Sequence, residues 1–184
     1  SGNFGNICAG ILAHHRGLPV EHFIAACNVN DVVPEYLRTE ILQPKETVAT
    51  ISNAMDVGDP SNFVRILELF DKEFNQVKNK LSGYTIDDEE TLKTIERVEK
   101  DYGYVLDPHG AVAFVALEKY LAENGGKGFF LETAHPVKFP DSVEKATGKS
   151  VEIPKSLEEL MRQEKFTTEI NPQYEELKEF LLKK

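Results

Sequence analysis

The residues best suited to chemistry lie in the first six positions, a segment rich in glycine and asparagine. Gly2 and Gly5 are three residues apart, Asn3 and Asn6 follow them, and small and apolar residues with helical spacing come next. Glycine lets a backbone approach a ligand closely, and the first turn of a helix offers unpaired N–H groups and a positive dipole end. The pattern predicts a loop that binds phosphate through backbone amides, without Lys or Arg. A purely structural turn is the alternative.

The five histidines do not form a metal-binding pattern. His14 and His15 are adjacent and point apart on a helix, and His22, His109 and His135 show none of the spacings typical of zinc sites. The sequence also lacks the Gly-x-x-x-x-Gly-Lys phosphate motif, and the two loop glycines do not fit the Gly-x-Gly-x-x-Gly dinucleotide fingerprint. We therefore expect no metal site and no nucleotide site of these kinds.

The elements that must position the loop can be predicted from periodicity. Apolar residues recur at helical spacing from Ile7 to a stop at Gly17, and residues 23–27 form a short β-prone run. Loop, helix and strand in this order form part of a βα unit, with the anion site at the turn into the helix. Apolar runs at residues 104–106 and 129–133 predict further buried strands. The alternation predicts an α/β fold with a mostly parallel sheet.

Three further helices are predicted from apolar periodicity and capping residues. One runs from about residue 61 toward Gly83, the second begins in the acidic turn at residues 85–90, and the third follows the Asp-Pro-His-Gly turn at residues 107–110. The third has apolar residues on nearly all faces, so we expect it to be central.

A single α/β domain is expected over residues 1–184. Within it, helical signals dominate residues 28–101, which we expect to form a mainly helical excursion. Residues 140–184 are helical and charged, and we expect them to form a C-terminal arm without chemistry.

Four blocks of the sequence, taken in order, resemble threonine synthases, which are pyridoxal 5'-phosphate (PLP) enzymes of the tryptophan-synthase β-like fold. The blocks are residues 1–34, TVATISNAMDVGDPSNFVRIL (47–67), YVLDPHGAVAFVAL (104–117) and GFFLETAHPVKF (128–139). Four ordered blocks are much harder to match by chance than one glycine loop. The resemblance implies part of such a PLP fold, with a truncated, mostly parallel sheet flanked by helices.

The resemblance also implies where the cofactor binds. Thr133 falls on the residue whose hydroxyl faces the pyridine nitrogen of PLP, with packing or capping as its alternative role. The amide of Phe4, and not its ring, is the expected contact. The family's phosphate-binding loop falls on five consecutive residues, which are Gly2, Asn3, Phe4, Gly5 and Asn6.

In this family a lysine upstream of the glycine loop forms the Schiff base with PLP, and no lysine of this sequence matches it. We therefore expect the chain to be the C-terminal portion of a longer enzyme, with the N-terminal part of that enzyme as its partner. The chain alone is expected to be inactive and to contain no catalytic residue.

Several polar residues of these blocks are candidates for the substrate pocket. A turn or helix cap is the alternative role for each of them. The candidates are Asn28, Asn30, Asp31, Ser52, Asn53, Asp56, Ser61 and Asn62.

The implied activity is that of a carbon–oxygen lyase acting on phosphates, which converts O-phosphohomoserine and water to threonine and phosphate in the last step of threonine biosynthesis. A related PLP-dependent dehydratase or lyase of the same fold is one alternative, and the Asn-Ala-Met-Asp-Val-Gly segment at residues 53–58 argues against it. A non-catalytic anion-binding domain is the other.

Composition restricts the partners. The formal charge of −10 argues against nucleic acid and against an anionic membrane, since both select for clustered cations. The longest strictly apolar run, residues 111–117, is far shorter than the ~20 residues that a bilayer requires. Cys8 and Cys27 stand in apolar surroundings, which favours reduced core cysteines over the alternative of a disulfide. We expect a cytoplasmic protein.

Overall fold

A computed structural model of the chain describes residues 1–164 and 166–183. They divide into two units after Val151. Two short 3-10 helices, Asn53–Met55 and Pro136–Lys138, belong to the first unit. The second unit contains α8 (Lys155–Met161) and α9 (Tyr174–Leu182). The other elements of the first unit are α1 (Gly5–His15), β1 (Phe23–Cys27), α2 (Val32–Thr39), α3 (Phe63–Leu69), α4 (Phe74–Lys80), β2 (Leu81–Thr85), α5 (Asp88–Tyr102), α6 (Pro108–Asn124) and α7 (Pro140–Thr147).

The sheet of the first unit is a parallel pair of strands. Phe23 of β1 lies opposite Leu81 of β2, and Cys27 lies opposite Thr85. Parallel strands need a crossover between them, and α2, α3 and α4 provide it. Helices α1 and α6 pack on β1, while α2 and α4 pack on β2. The predicted strand at residues 23–27 and the parallel arrangement are thus confirmed.

Strand β2 was missed, because the helix from about residue 61 was predicted to continue toward Gly83. The chain instead leaves α4 at Lys80 and enters β2. Gly83 of β2 lies so close to α2 that a Cβ on it would be 2.7 Å from the Cα of Pro34. Glycine is needed there for this close approach. Helical periodicity in the sequence does not indicate such a contact between distant segments.

The single long helix predicted before β2 is also wrong. The backbone turns between α3 and α4, where Asp71 and Lys72 adopt left-handed conformations with φ of 53° and 60°. Such values are uncommon for residues other than glycine, so the sequence carries no obvious signal for the break.

The apolar runs at residues 104–106 and 129–133 do not form strands in the described part of the chain. Leu106 is fully buried, whereas Phe129 is 73% and Leu131 is 58% exposed. Within the described residues neither run lies beside a strand that could complete a hydrogen-bonded ladder, and without such a neighbour an extended segment is not a sheet strand.

Helix α6 is central, as predicted. Its first five residues are buried, and Val112, Val115 and Ala116 pack with Ala26 of β1 and with Ile86. Its N-terminus is capped by Asp107, whose carboxylate accepts a hydrogen bond from the backbone amide of His109 at 2.8 Å.

Helix α5 begins where the acidic pattern predicted. The carboxylate of Asp87 accepts from the amide of Glu90 at 2.8 Å, so Asp87 is the N-cap of the helix. Among the helices of the residues described above, none is both long enough and apolar enough to cross a bilayer.

Candidate functional site

The glycine loop lies at the carboxyl end of β1. The amino group of Ser1 donates to the carbonyl of Ala26, and the thiol of Cys27 donates to the carbonyl of Ser1 at 3.4 Å. Ala26 and Cys27 are the last two residues of β1. Ligands of open parallel α/β sheets bind outside the carboxyl ends of the strands, so the loop has the position that such a site requires.

The backbone amides at the start of α1 are free to bind an anion. Phe4 precedes the helix in a left-handed conformation, with φ 60° and ψ 20°, and no side chain caps the helix. No acceptor in the described part of the chain pairs with the amides of Gly5, Asn6 and Ile7. Because Gly5 and Asn6 are exposed, their amides are accessible to a ligand. This end of the helix fits a phosphate group.

Packing and hydrogen bonds hold the loop in place. The ring of Phe4 is 3% exposed and packs edge-on against Phe63, with the ring centroids 5.8 Å apart. The side-chain oxygen of Asn3 accepts from the hydroxyl of Ser61 at 3.1 Å and from the amide of Asn62 at 3.4 Å. The ring of Phe4 therefore serves packing, and it leaves the backbone free for binding.

Gly2 fixes the loop against the short helix Asn53–Met55. A Cβ on Gly2 would lie 2.7 Å from the Cα of Met55 and 2.8 Å from the carbonyl oxygen of Ala54. Both neighbours are backbone atoms, which cannot rotate away. Glycine is therefore required at this position.

Four of the substrate-pocket candidates bind one another instead of lining an open space. Oδ1 of Asp56 accepts from Nδ2 of Asn28 at 2.8 Å, from Nδ2 of Asn30 at 3.2 Å and from the hydroxyl of Thr50 at 2.7 Å. Ser52 is fully buried, and its hydroxyl accepts from Asn28 at 3.1 Å. This closed network holds residues 48–56 beside β1.

Most of the other candidates are also engaged. Asp31 accepts from Lys45 at 2.8 Å and from Thr85 at 3.0 Å. Ser61 and Asn62 hold Asn3, as described above. Asn53 differs, because it is exposed and its side chain has no hydrogen-bond partner among the described residues.

Thr133 lies in the segment between α6 and the short helix Pro136–Lys138. It is exposed, and its hydroxyl has no partner within the described ranges. The preceding Glu132 points inward, where Oε1 accepts from the backbone amide of Asp107 at 3.2 Å. Its carboxyl group lies against Gly110, where a Cβ would collide with it. Glu132 thus anchors the Thr133 segment at the start of α6.

A hydrogen-bonded path leads from this segment to the glycine loop. Nδ1 of His109 lies 2.6 Å from Oδ1 of Asp107, whose side chain is fully buried. Nε2 of His109 accepts from the backbone amide of Ala54 at 3.1 Å. Ala54 in turn lies against Gly2. The path Glu132, Asp107, His109, Ala54 therefore connects the two predicted cofactor contacts, Thr133 and the loop.

The acids of this path have perturbed ionisation. Burial and the neighbouring Asp107 raise the pKa of Glu132 to about 8. Burial alone would raise the pKa of Asp107 too, but hydrogen bonds from His109 and Glu132 outweigh burial and leave that pKa below its usual value.

Few sequence patterns predict this path. Asp107 and His109 stand in a predicted turn at the expected edge of the site, and no pattern marks Glu132. The available signals were the Asp-x-His spacing before an apolar helix and the position of Glu132 next to Thr133.

Three other features of the described residues bear on the choice of site: a surface depression, the metal-binding side chains and the cysteines. A depression of about 330 Å³ between α5 and α6 is lined by charged side chains that pair with one another, including Arg97 with Glu118 and Lys119 with Glu90, and it includes none of the predicted site residues. Within residues 1–164 and 166–183, no cluster of three His, Cys, Asp or Glu side chains could hold a metal ion. Cys8 and Cys27 form no disulfide, and burial raises the pKa of the Cys27 thiol to about 11.

Comparisons with known proteins agree on one family. A sequence profile described as "Threonine synthase, C-terminal" matches residues 110–181. Threonine synthase of Escherichia coli (strain K12) is 49% identical over 159 residues, which cover 86% of this chain and 36% of that protein.

Solved structures extend the similarity to nearly the whole chain. The crystal structure of threonine synthase from Escherichia coli matches with a TM-score of 0.89 and 43% identity, over 99% of this chain and 42% of that one. The structure of PLP-bound threonine synthase from Brucella melitensis matches with a TM-score of 0.83 and 30% identity, over 98% of this chain and 44% of that one.

The parallel strand pair, the helices around it and the glycine loop at its carboxyl edge thus have the fold of solved threonine synthase structures. The chain is homologous to the C-terminal portion of threonine synthases. It spans 36% to 44% of the length of the relatives described above. The fold and the resemblance to threonine synthases predicted from the four blocks are confirmed, while the roles of the loop residues and of Thr133 stay predictions.

Proposed function

We propose that this chain is the cofactor-binding C-terminal portion of an enzyme that converts O-phosphohomoserine and water to threonine and phosphate. The observation that carries the proposal is the match of nearly the whole chain, at 43% identity and a TM-score of 0.89, to threonine synthase from Escherichia coli. The similarity covers the loop, the sheet and the segment of Thr133, so it includes every predicted contact.

The cofactor that we propose is PLP, the group bound in the similar structure from Brucella melitensis. When bound, PLP supplies an electron sink that stabilises a carbanion of an amino-acid substrate. The free amides of Gly5 and Asn6 would hold its phosphate, with the dipole of α1 adding a favourable field. The chain carries a formal charge of −10, so a local device of this kind is needed to bind an anion.

Thr133 is the proposed partner of the pyridine nitrogen. Its hydroxyl is exposed, and no described residue competes for it. A neutral hydroxyl does not stabilise a protonated pyridinium as a carboxylate would, so Thr133 would leave the ring a milder electron sink.

The reacting amine is assigned to the part of the relatives that this chain does not match. In this proposal that part supplies the Schiff-base lysine and most contacts to O-phosphohomoserine, and residues 1–184 alone have no synthase activity. We place the enzyme in the cytoplasm, in threonine biosynthesis. Nucleic acid and membranes are not among the proposed partners.

Product analysis tests the proposal. The full-length protein that contains this chain is incubated with PLP and O-phosphohomoserine, and threonine and inorganic phosphate are measured together. We expect the two products in equal amounts. Formation of a keto acid from serine or threonine, with no threonine from O-phosphohomoserine, would instead identify a dehydratase of the same fold.

A further inference from the structure

Two buried carboxylate oxygens in the path between Thr133 and the glycine loop have no partner. They are Oδ2 of Asp107 and Oε2 of Glu132. The two residues lie beside each other, because Oε1 of Glu132 accepts from the backbone amide of Asp107 at 3.2 Å, and each carboxyl group affects the pKa of the other. Two ionised carboxylates cannot hydrogen-bond to each other, and they would repel each other in a buried site. One proton shared between them satisfies both oxygens.

The surroundings of the two acids decide which of them is protonated. Oδ1 of Asp107 lies 2.8 Å from the backbone amide of His109 and 2.6 Å from its ring nitrogen Nδ1, and both contacts favour the ionised form. Glu132 accepts only one hydrogen bond from the described residues, at 3.2 Å from the amide of Asp107. The proton therefore belongs to Glu132.

The same contacts determine the tautomer of His109. Its Nε2 faces the backbone N–H of Ala54 at 3.1 Å and must act as an acceptor. The ring hydrogen is then on Nδ1, which donates to Asp107. The ring of Phe139 packs on the imidazole with centroids 4.8 Å apart, and His109 is 7% exposed. Every polar atom of the path then has a partner.

We propose that Glu132, Asp107 and His109 act as positioning residues, in which one proton shared by the two carboxyl groups holds the Thr133 segment in register with the glycine loop. The consequence for PLP rests on the proposed function. The path itself is a property of residues 54–132 and does not depend on it. None of the three residues is a catalytic residue, since the path reaches the cofactor contacts only through Thr133 and Gly2.

The arrangement makes the site sensitive to pH. Among the described residues, the titratable groups beside Glu132 are Asp107 and Tyr104, while His109 lies against Asp107. The pKa of Tyr104 is raised by burial and then by the carboxyls of Glu132 and Asp107, so its phenol is uncharged at neutral pH. Loss of the shared proton near pH 8 leaves two buried negative charges side by side and forces the Thr133 segment away from α6.

Infrared and NMR spectra of the full-length protein test the path without reference to activity. We expect a protonated carboxyl band at pH 6.5 that disappears in Glu132→Gln and that titrates in the wild type near pH 8. Nitrogen-15 shifts should identify His109 as the tautomer with hydrogen on Nδ1. Absence of the carboxyl band, or hydrogen on Nε2, would overturn the proposal.

PLP affinity tests the positioning role. Glu132→Ala should weaken PLP binding by about tenfold, as expected for the loss of a buried hydrogen-bonded partner. Glu132→Gln keeps a neutral hydrogen-bond donor at this position. Its PLP affinity should therefore match that of the wild type at neutral pH, without the decline that the wild type shows above pH 8. Glu46→Gln, at an exposed position, is the matched control and should follow the wild type.

The outcomes separate this proposal from the proposed function. If the PLP affinity of Glu132→Gln declines with pH as that of the wild type does, the positioning role is wrong. If the wild type does not bind PLP at any pH, the proposed cofactor is wrong, and the infrared and NMR spectra still decide whether the proton-sharing path exists.

Discussion

At the residue level, contact with neighbouring backbone atoms restricts position 2 to glycine. Its neighbours are backbone atoms of Ala54 and Met55, so an added methyl group cannot be accommodated by rotating a side chain. Gly5 differs, because a Cβ there would meet only the side-chain nitrogen of Asn62, at 3.9 Å. Packing thus requires glycine at position 2 but not at position 5.

The first prediction compares these glycines. Gly2→Ala should lower the free energy of unfolding by about 1–3 kcal/mol because the loop must move away from Ala54 and Met55. Gly5→Ala is the matched variant and should change stability by less than about 1 kcal/mol, since its first-turn position is open. Urea denaturation measures both. Equal effects would show that the contact with Ala54 and Met55 does not fix the loop.

The second prediction concerns the pH dependence of Glu132. Its pKa is raised from the ordinary value of 4.5 to about 8 in the folded protein, so between these values the folded chain holds a proton that the unfolded chain has released. Stability from this group is complete below about pH 4.5 and is lost as pH rises toward 8. Asp107, with a lowered pKa, contributes in the opposite direction only at more acid pH.

Thermal unfolding tests the direction in which stability changes with pH. The melting temperature of the wild type, measured relative to Glu132→Gln, should fall as the pH rises from 5 to 8 and then level off. Comparing the two proteins removes the contribution of other titrating groups. A difference that stays constant across this range would contradict a buried, protonated Glu132.

At the scale of elements, α1 begins without a capping side chain, so no side-chain oxygen occupies the amides of its first turn. Phe4 occupies the cap position in a left-handed conformation, and the exposed amides of the first turn stay free. The sequence predicted both the loop and the helix, because glycine and asparagine spacing reports local backbone geometry. It predicted α5 and α6 for the same reason, since capping and apolar periodicity are local signals.

The elements that were missed depend on distant residues. Strand β2 exists because Leu81 to Thr85 pair with β1, some 58 residues earlier in the chain, and because Gly83 permits close contact with Pro34. The path from Glu132 to Ala54 joins residues of three separate segments. No local sequence pattern predicts contacts between residues so far apart in the chain, so only the folded structure shows them.

The third prediction tests the free amides of α1. Asn6→Asp is nearly isosteric and adds a negative charge to the first turn, so the helix dipole should stabilise the fold by about 0.3–1 kcal/mol. The same charge should repel a phosphate and weaken PLP binding by about tenfold or more. Stability and affinity are therefore expected to change in opposite directions, which a general structural defect would not produce.

A matched control is available in α4. Asn75 is exposed and holds the same second position in its helix as Asn6 does in α1. Asn75→Asp should stabilise the protein slightly and leave PLP affinity unchanged. If both variants leave affinity unchanged, the first turn of α1 does not bind the phosphate.

At the scale of the whole molecule, the chain is homologous to the C-terminal portion of threonine synthases and spans 36% to 44% of the length of the relatives described above. The elements present here are those that the proposed function needs for holding a cofactor: the amides of α1, Thr133 and the buried path between them. The proposed function assigns the reacting amine to the rest of the enzyme, so that binding and chemistry would be divided along the sequence.

The fourth prediction follows from this division. Residues 1–184 alone should form no threonine from O-phosphohomoserine, whereas the full-length protein that contains them should. Threonine production by the isolated chain, measured by amino-acid analysis, would mean that a lysine within it serves as the reacting amine.

A crystal structure of the full-length protein with PLP would show whether backbone amides of the glycine loop hold the phosphate. We expect phosphate oxygens within hydrogen-bond distance of the amides of Gly5 and Asn6, and the pyridine nitrogen facing the hydroxyl of Thr133. A phosphate bound elsewhere, with those amides still exposed to solvent, would contradict this expectation.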